Sequence, residues 1–245
     1  MKVTIRFYEE LNDFLKKEKH KKDIEAVFKG KRSVKDLIES FGVPHVEVDL
    51  ILVNGKSVDF NYLTEDADRI SVYPVFERLN IRDVQKLRNI PLRNIKFACD
   101  VHLRSLARRL RLLGFDVYYS DISDDAELVQ VSINEDRVLL TGNRQLLMRR
   151  SITKGLCIRS SGTEKQTVEV LDRLDLRNLC DPFLRCVECN GLIEKIAEGD
   201  NSYMDIIPPG VRQWCSEFYR CPSCKRIYWK GSHYDKLVKV VDGIL

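Results

Sequence analysis

The spacing of apolar residues divides the chain into three stretches with different periods. In the first, apolar and polar residues alternate along the opening KVTIRF, as in a half-buried strand. Ser33 then precedes the helical segment VKDLIESF, ILVNGKSV carries Asn54-Gly55 at the centre of a hairpin, and RISVYPVF has the pattern of a closing strand. Strands in this order around one helix predict an α+β unit of the β-grasp type over residues 1–78.

From Ile95 the pattern changes to strands that alternate with helices. The segments IKFACD, DVYYS, RVLLT and GLCIRS are predicted strands, and VHLRSLARRLRLLG, AELVQVSINE and TEKQTVEVLDRL are predicted helices, with a further helix near residues 144–149. This alternation predicts an α/β domain with a parallel sheet and right-handed crossovers over residues 95–180. The basic residues 79–94 that precede it, which include Pro91, are predicted to be a linker.

The last stretch, residues 181–245, contains two cysteine pairs. Cys186-x2-Cys189 and Cys221-x2-Cys224 are separated by 31 residues. Each pair can give two thiolates to one tetrahedral zinc, and four thiolates leave no open position for a substrate. The spacing therefore predicts a zinc ribbon with a structural metal. Redox-active cysteine pairs are the alternative, which is less favoured because redox motifs rarely occur as two paired knuckles.

Two further groups of residues in the sequence are the aromatic residues of the ribbon and the cysteines outside the pairs. Aromatic residues of the ribbon fit either a small core or a surface that stacks nucleobases: Trp214, Phe218, Tyr219, Tyr228, Trp229 and Tyr234. The cysteines outside the pairs are expected to be small buried apolar residues: Cys99, Cys157, Cys180 and Cys215.

The overall charge is small, but basic residues are unevenly distributed. The 245 residues carry a formal net charge of +4, while the stretch from Arg78 to Leu112 holds ten lysines or arginines and only two acids. The chain has no long apolar run, and its beginning lacks the apolar region of a secretion signal. We therefore expect a soluble cytoplasmic protein that does not bind membranes, in which paired cysteines bind metal.

Acidic and amide side chains follow three of the predicted strands. Because the carboxyl ends of parallel strands lie at one edge of a sheet, these side chains are expected to converge. Converging carboxylates can hold Mg²⁺ or Mn²⁺, which activates water for phosphodiester hydrolysis. The alternative needs no metal, because Asp124 or Asp125 is a good helix N-cap and Asp100 could cap the helix that follows it. The side chains concerned are Asp100, Asp121, Asp124, Asp125 and Asn143.

The predicted helix after Asp100 has an apolar face and a second stripe formed by Arg104, Arg108 and Arg111. A basic stripe beside an acidic pocket suits a protein that holds phosphates next to a metal. A solvated helix face is the alternative, but such a face usually includes glutamates and this one has none. The stripe therefore favours a nucleic acid as partner.

The chain resembles a known family in the segments PLRNIKFACDVHLRSLARRLRLLGFDVYYS, DDAEL, EDRVLLTGNRQLLMRR, PFLRCVECNG and FYRCPSCKRIYWKGSHY. They are similar to the Mut-seven C-terminal ribonuclease-like domain, which has a fold of the PIN superfamily and an appended zinc ribbon. Residues 1–78 resemble the ubiquitin-like β-grasp domain that bacterial members carry at the front.

The resemblance implies metal-dependent cleavage of RNA by an acidic cluster. By position, Asp100 matches the first acid and Asp125 the acid before the second helix, and together they would hold Mg²⁺ or Mn²⁺. Where the family reads Thr-Arg-Asp-Arg, this chain has Asn143 in place of the third acid, and where the family has His-Leu-Gly it has Arg104 in place of glycine. An amide oxygen coordinates a hard cation without charge, so metal affinity is expected to fall by at least about 10- to 100-fold.

We therefore expect an RNA-binding protein with metal-dependent ribonuclease activity that is weakened by Asn143. The alternative is a non-catalytic adaptor, derived from such a nuclease, that binds RNA or protein. The β-grasp domain is a possible site for a protein partner. The residues expected to bind RNA are Arg104, Arg108, Arg111 and Arg144.

Overall fold

A computed structural model describes residues 1–74, 95–197, 199–200 and 203–245 of the chain. The predicted linker at residues 79–94 lies outside the described residues, as does the end of the closing strand predicted before it.

The N-terminal part is a five-stranded mixed sheet with one α-helix, which confirms the predicted α+β unit. Its strands β1 to β5 are Lys2–Phe7, Ile24–Val27, Val48–Val53, Lys56–Val58 and Arg69–Pro74, in the order β2-β1-β5-β3-β4, and helix α1 is Val34–Ser40. Ser33 caps α1 by accepting a hydrogen bond from the Asp36 amide at 3.1 Å. Asn54 and Gly55 have φ angles of 50° and 80°, which suits the tight turn between β3 and β4. Strand β2 is an element that the sequence pattern did not predict.

The second part is a parallel α/β domain. Its strands β6 to β9 are Lys96–Cys99, Asp116–Tyr118, Val138–Thr141 and Gly155–Cys157, in the order β7-β6-β8-β9. Its helices α2 to α5 are Arg104–Leu112, Asp125–Asn134, Arg144–Leu147 and Thr163–Arg173. These elements confirm the predicted alternation. Helix α2 begins later than predicted, because residues 101–103 form a 3₁₀ turn capped by Asp100.

The C-terminal part contains the cysteine pairs and a small antiparallel sheet. Strands β10 to β12 are Glu194–Lys195, Phe218–Arg220 and Ile227–Trp229, and helices α6 and α7 are Pro209–Arg212 and Ser232–Asp242. Ile196, Ile207 and Phe218 form its own small core. Helix α7 returns to the α/β domain, where Val241 and Ile244 join the buried core beside α2 and α5.

The N-terminal sheet domain covers one face of the parallel sheet. Successive residues of a strand point to opposite faces. Accordingly, Ala98 and Leu139 pack in a core shared with Phe7 of the N-terminal domain, whereas Phe97 and Leu140 pack against α2 and α5. The two domains therefore bury apolar surface against each other.

Buried polar contacts fix the orientation of this interface. Glu47, which is fully buried, accepts a hydrogen bond from the Cys157 amide at 2.5 Å and forms an ion pair with Arg173. His45 Nε2 lies 2.9 Å from the Ile152 carbonyl oxygen, and its Nδ1 lies 2.7 Å from Glu39. Because a buried charge is costly without its partner, the pair of Glu47 and Arg173 stabilises one orientation of the two domains.

In the parts of the chain that the structure describes, no helix combines the length and apolar character needed to cross a bilayer.

Candidate functional site

The predicted catalytic residues lie together at the carboxyl edge of the parallel sheet. Asp100 follows β6, Asp125 opens α3, and Asn143 follows β8. All three line one cleft with an empty volume of about 430 Å³ that opens to solvent. Strand order explains the convergence, since β6 and β8 are neighbours and α3 connects β7 back to β8. The other residues that line the cleft are Cys99, Val101, His102, Ser123 and Leu128.

The carboxylate of Asp100 is held in place by two hydrogen bonds. Its Oδ1 accepts a hydrogen bond from the His102 amide at 2.9 Å, and its Oδ2 accepts one from the hydroxyl of Thr141. Asp100 is buried and Thr141 is fully buried. Each carboxylate oxygen has a further lone pair, so the carboxylate is held in place and can still accept a ligand.

Asn143 is also tied to Thr141. Its backbone amide donates to Thr141 Oγ1 at 2.9 Å, and its side-chain oxygen accepts from the Gln145 amide at 3.1 Å, which caps α4. Asparagine is a good N-cap, so the residue has a local structural role apart from any ligand. Sequence reasoning missed Thr141, although a polar residue at the end of the buried run VLLT is a signal.

Asp124 and Asp125 divide the two roles that the sequence left open. Asp124 caps α3 by accepting from the amides of Ala126 at 2.9 Å and Glu127 at 2.8 Å. The exposed Asp125 carboxylate has no hydrogen bond or ion pair within the described ranges. The carboxylate beside the cleft is therefore the one that is not needed for the cap.

Asp121 does not belong to the cleft lining. It accepts from the hydroxyl of Tyr119 at 2.8 Å and lies 3.5 Å from Arg104. Burial, together with this hydrogen bond to Asp121, raises the pKa of Tyr119 to about 12. Tyr119 therefore remains a neutral hydrogen-bond donor that fixes the loop beside the cleft.

The donor set of the cleft fits a weakly bound hard cation. The cleft lining includes two acids, Asp100 and Asp125. Among the described residues, the paired cysteines form the single group of three or more acids, cysteines or histidines close enough for one metal ion. Mg²⁺ is commonly held by one or two carboxylates together with water and substrate phosphates. Asp100 and Asp125 meet that minimum requirement.

The predicted arginine stripe on α2 does not face solvent as a unit. Arg104 and Arg108 are exposed, but they pair with Asp121 and Glu188. Arg111 contradicts the prediction, because its side chain is buried and donates to the carbonyl oxygens of Val117, Val187 and Glu188. The apolar face of α2 is broad enough to include the stem of Arg111, so helical spacing alone assigned it to the wrong surface.

Arg144 also has contacts within the protein. It donates to the Phe14 carbonyl oxygen at 3.2 Å, and its guanidinium carbon lies 4.9 Å from the centre of the Phe14 ring. The residue after Asn143 thus attaches the N-terminal domain to the edge of the cleft.

The paired cysteines form a second, separate site. The four Sγ atoms lie within 4.8 Å of one another, with Cys186 and Cys224 3.6 Å apart and Cys189 and Cys221 3.3 Å apart. A tetrahedral zinc with bonds of about 2.3 Å requires sulfur atoms about 3.8 Å apart. The four cysteines could therefore bind a structural metal such as zinc. Gly191 is required here, because a Cβ at this position would lie 2.9 Å from Cys221 Sγ.

Tyr228 contacts the cysteine site through its hydroxyl, 2.9 Å from Cys186 Sγ. Burial opposes ionisation of this thiol, but the hydrogen bonds led by Tyr228 lower the pKa of Cys186 to about 7. The hydrogen bond therefore favours the thiolate form that binds metal.

The remaining cysteines and aromatic residues have varied surroundings. Burial raises the pKa of Cys99 well above its ordinary value and that of Cys157 to about 11, so both are neutral buried thiols. Phe218 and Trp229 belong to the small core of the ribbon, whereas Trp214 is 59% exposed.

The first cysteine knuckle is attached to the α/β domain by a polar network. Asn190 accepts from the Val117 amide and donates to Asp116 Oδ1, both at 2.9 Å. Arg137, directly before β8, donates to the same Asp116 oxygen at 2.6 Å. Together with Arg111, these contacts join the first cysteine knuckle to β7 and α2.

Comparisons with known proteins agree with this architecture. Residues 95–241 match the family model of the Mut7-C RNAse domain, and residues 1–80 match that of the Mut7-C ubiquitin domain. The human protein called exonuclease mut-7 homolog is 32% identical over 107 residues, which cover 41% of this chain and 12% of that protein. The chain thus spans only a small part of this relative's length. No solved structure matches the chain.

Proposed function

Since this chain belongs to the Mut7-C RNAse domain family and carries a Mut7-C ubiquitin-like domain, we infer that it binds RNA and cleaves it weakly in a reaction that depends on a divalent metal. The family membership supports a nuclease-like or RNA-related function. The observation that carries the finer proposal is the shared cleft of Asp100, Asp125 and Asn143.

Asp100 and Asp125 would hold Mg²⁺ or Mn²⁺ in this cleft. When bound, such an ion supplies an activated water and stabilises negative charge on the phosphate. Asp100 is positioned for this role by Thr141 and by the His102 amide, which restrict the directions in which its free lone pairs point. Asp125 adds a second negative charge and is accessible from solvent.

Asn143 weakens the binding of a metal ion in this cleft. Its side chain is neutral and already accepts a hydrogen bond from Gln145, so it adds no charge to attract a cation. With one carboxylate fewer, metal binding is weaker and depends more on the substrate phosphates. Arg104 is the α2 arginine best able to exchange its acidic partner for a phosphate. It is exposed, and its distance of 3.5 Å to Asp121 is longer than that between Arg108 and Glu188.

A non-catalytic adaptor that binds RNA or protein is the second candidate. The observation that favours it is that, among the described residues, no third acid, cysteine or histidine clusters with Asp100 and Asp125 closely enough to share one metal ion. In that case the cleft would be a relic, and binding would not depend on divalent metal.

The test uses the full chain, a labelled single-stranded RNA, and buffers containing Mn²⁺, Mg²⁺ or EDTA. Cleavage with metal that is lost in Asp100→Asn and Asp125→Asn, but retained in Asp121→Asn, supports the nuclease. Asp121→Asn is the matched control, since it removes one charge at the same edge but outside the cleft lining. RNA binding without cleavage in all four proteins would favour the adaptor.

A further inference from the structure

The N-terminal domain carries a run of closely spaced lysines. Residues 16–22, KKEKHKK, which we call the lysine segment, contain five lysines and one glutamate. Lys16, Lys17, Lys21 and Lys22 are exposed. Within the described parts of the chain, no carboxylate lies within 4.0 Å of their ammonium groups. The lysine segment is thus free to interact with an external anion.

The residues just before the lysine segment contact arginines that follow strands β8 and β9, beside the candidate cleft. Phe14, two residues before Lys16, accepts a hydrogen bond from Arg144, the residue that follows Asn143. Asp13 forms an ion pair of 2.7 Å with Arg159, which lies just beyond the carboxyl end of β9. Because successive Cα atoms are about 3.8 Å apart, the Cα of Lys16 is at most about 8 Å from that of Phe14.

The contacts at this edge also remove competing negative charge. Arg159 donates to the Glu10 carbonyl oxygen at 2.7 Å and pairs with Asp13, and Arg173 lies 3.8 Å from the Glu10 carboxylate. Glu10 and Asp13, which precede the lysine segment, are therefore paired with arginines of the α/β domain, and Asp23, which follows it, lies 3.4 Å from both Arg6 and Arg69. With the buried pair of Glu47 and Arg173, the same contacts fix the segment relative to the cleft.

Helix α2 provides less free positive charge than its sequence suggests. Arg104 and Arg108 each have an acidic partner, and Arg111 is buried. A nucleic acid strand that reaches the cleft could therefore draw further positive charge from the exposed lysines of the lysine segment. Phosphate contacts of this kind contribute affinity without reading sequence.

We propose that the lysine segment of the ubiquitin-like domain binds the phosphates of single-stranded RNA that extends beyond the candidate cleft. The ubiquitin-like domain then forms part of the RNA-binding surface beside the cleft. This inference rests on the proposed function, because it takes the cleft as the place where RNA is held.

The test compares two triple variants of the full chain. The first variant removes three exposed charges by Lys16→Gln, Lys17→Gln and Lys22→Gln. Lys19 is kept, because its ammonium lies 5.2 Å from the centre of the Phe41 ring. The control replaces Lys2, Lys29 and Lys31 by Gln. Because Lys2 pairs with Val27 and Ile5 with Ile24 in the sheet register, these control lysines lie at the opposite end of β1.

Single-stranded RNA binding is measured between 50 and about 300 mM salt. We expect the first triple variant to reduce the slope of log K against log salt by about 0.7 per lost contact, about 2 in all. The control variant is expected to change it little. If cleavage is observed, the first variant should raise KM and leave kcat unchanged, since these lysines lie away from the reacting phosphate.

The failures of the two proposals are distinguishable. If the wild type binds RNA and Asp100→Asn abolishes cleavage, but the first triple variant keeps the wild-type salt slope, the lysine segment has another role, such as binding an acidic protein, and the inference is wrong. Equal losses in the two triple variants would also overturn it, because the effect would then be one of net charge. If the wild type binds no RNA at any salt concentration, both proposals fail.

Discussion

Thr141 donates a hydrogen bond from its buried hydroxyl to Asp100 Oδ2 and accepts one from the backbone amide of Asn143. One side chain therefore sets the relative position of two of the three residues predicted to form the site. The hydroxyl is suited to this position because it can donate and accept at the same time.

Thr141→Val should destabilise the protein and loosen the cleft. Valine keeps the shape but leaves a buried carboxylate oxygen and a backbone amide without partners, which costs about 1–3 kcal/mol. Thr141→Ser keeps the hydroxyl and should stay closer to the wild type. Urea unfolding of the three proteins measures the difference. Equal free energies of unfolding for the valine and serine variants would show that the hydrogen bonds contribute nothing.

Asn143→Asp should restore a third carboxylate to the cleft. Without metal, the added charge repels Asp100 and Asp125 and lowers the melting temperature, whereas with Mn²⁺ the variant should gain more stability than the wild type. Cleavage of single-stranded RNA should rise as well. Adding Asp100→Asn in the same chain should reverse both gains. Calorimetry with and without Mn²⁺ gives the comparison, and identical metal responses in variant and wild type would mean that Asn143 is not at a metal site.

The arginines of α2 should separate into two classes. Arg104→Gln with Arg108→Gln removes exposed charges, so RNA binding should lose about 0.7 in salt slope per contact while stability changes by less than about 1 kcal/mol. Arg111→Gln should instead cost about 1.5–3 kcal/mol, because its buried hydrogen bonds to three carbonyl oxygens come from a charged group. Denaturation and filter binding together distinguish the classes. A fully stable Arg111→Gln would contradict the assignment.

The cysteine site should bind one zinc ion per chain. Elemental analysis after dialysis should detect it, and Cys189→Ser with Cys224→Ser should remove it, since two ligands are lost. The C-terminal segment should then become sensitive to protease, because its own core is small. A Cys180→Ser and Cys215→Ser variant is the control, since neither residue belongs to the cluster. A metal-free protein with a resistant C-terminal segment would refute the prediction.

The contribution of Asp116 to the stability of the protein should depend on pH, because Asp116 joins the first cysteine knuckle to the α/β domain. Burial alone would raise the pKa of its carboxyl group, but the hydrogen bonds from Arg137 and Asn190 outweigh it and lower the pKa below the ordinary value. A lowered folded-state pKa stabilises the protein above the unfolded-state value of about 4, and this contribution is lost as pH falls through the folded-state pKa. Wild type should therefore be more stable than Asp116→Asn near neutral pH, and the difference should shrink below about pH 4. Urea unfolding at several pH values tests this, and a constant difference would refute it.

Much of the local structure follows from the sequence. The cap at Ser33, the turn at Asn54-Gly55 and the alternation of strands with helices depend on neighbouring residues and were predicted correctly. The sequence left the cap of α3 open between Asp124 and Asp125, and the structure assigns it to Asp124. Spacing also identified the four cysteines that cluster. Strand β2 was missed because its short segment IEAV has little alternation and is defined by pairing with β1.

The sequence by itself determined most of the strands and helices of this protein, their order along the chain and most candidates for its site, because these depend on periodicity, capping and spacing along the chain. Tertiary structure decided which face of α2 is buried, and so removed Arg111 from the exposed surface. It also decided that Thr141 joins Asp100 to Asn143, and that Phe14 of the N-terminal domain lies against Arg144 at the cleft. The physical reason is that burial and long-range hydrogen bonds depend on which elements pack together, and residues 130 positions apart carry no mark of that contact in their local sequence.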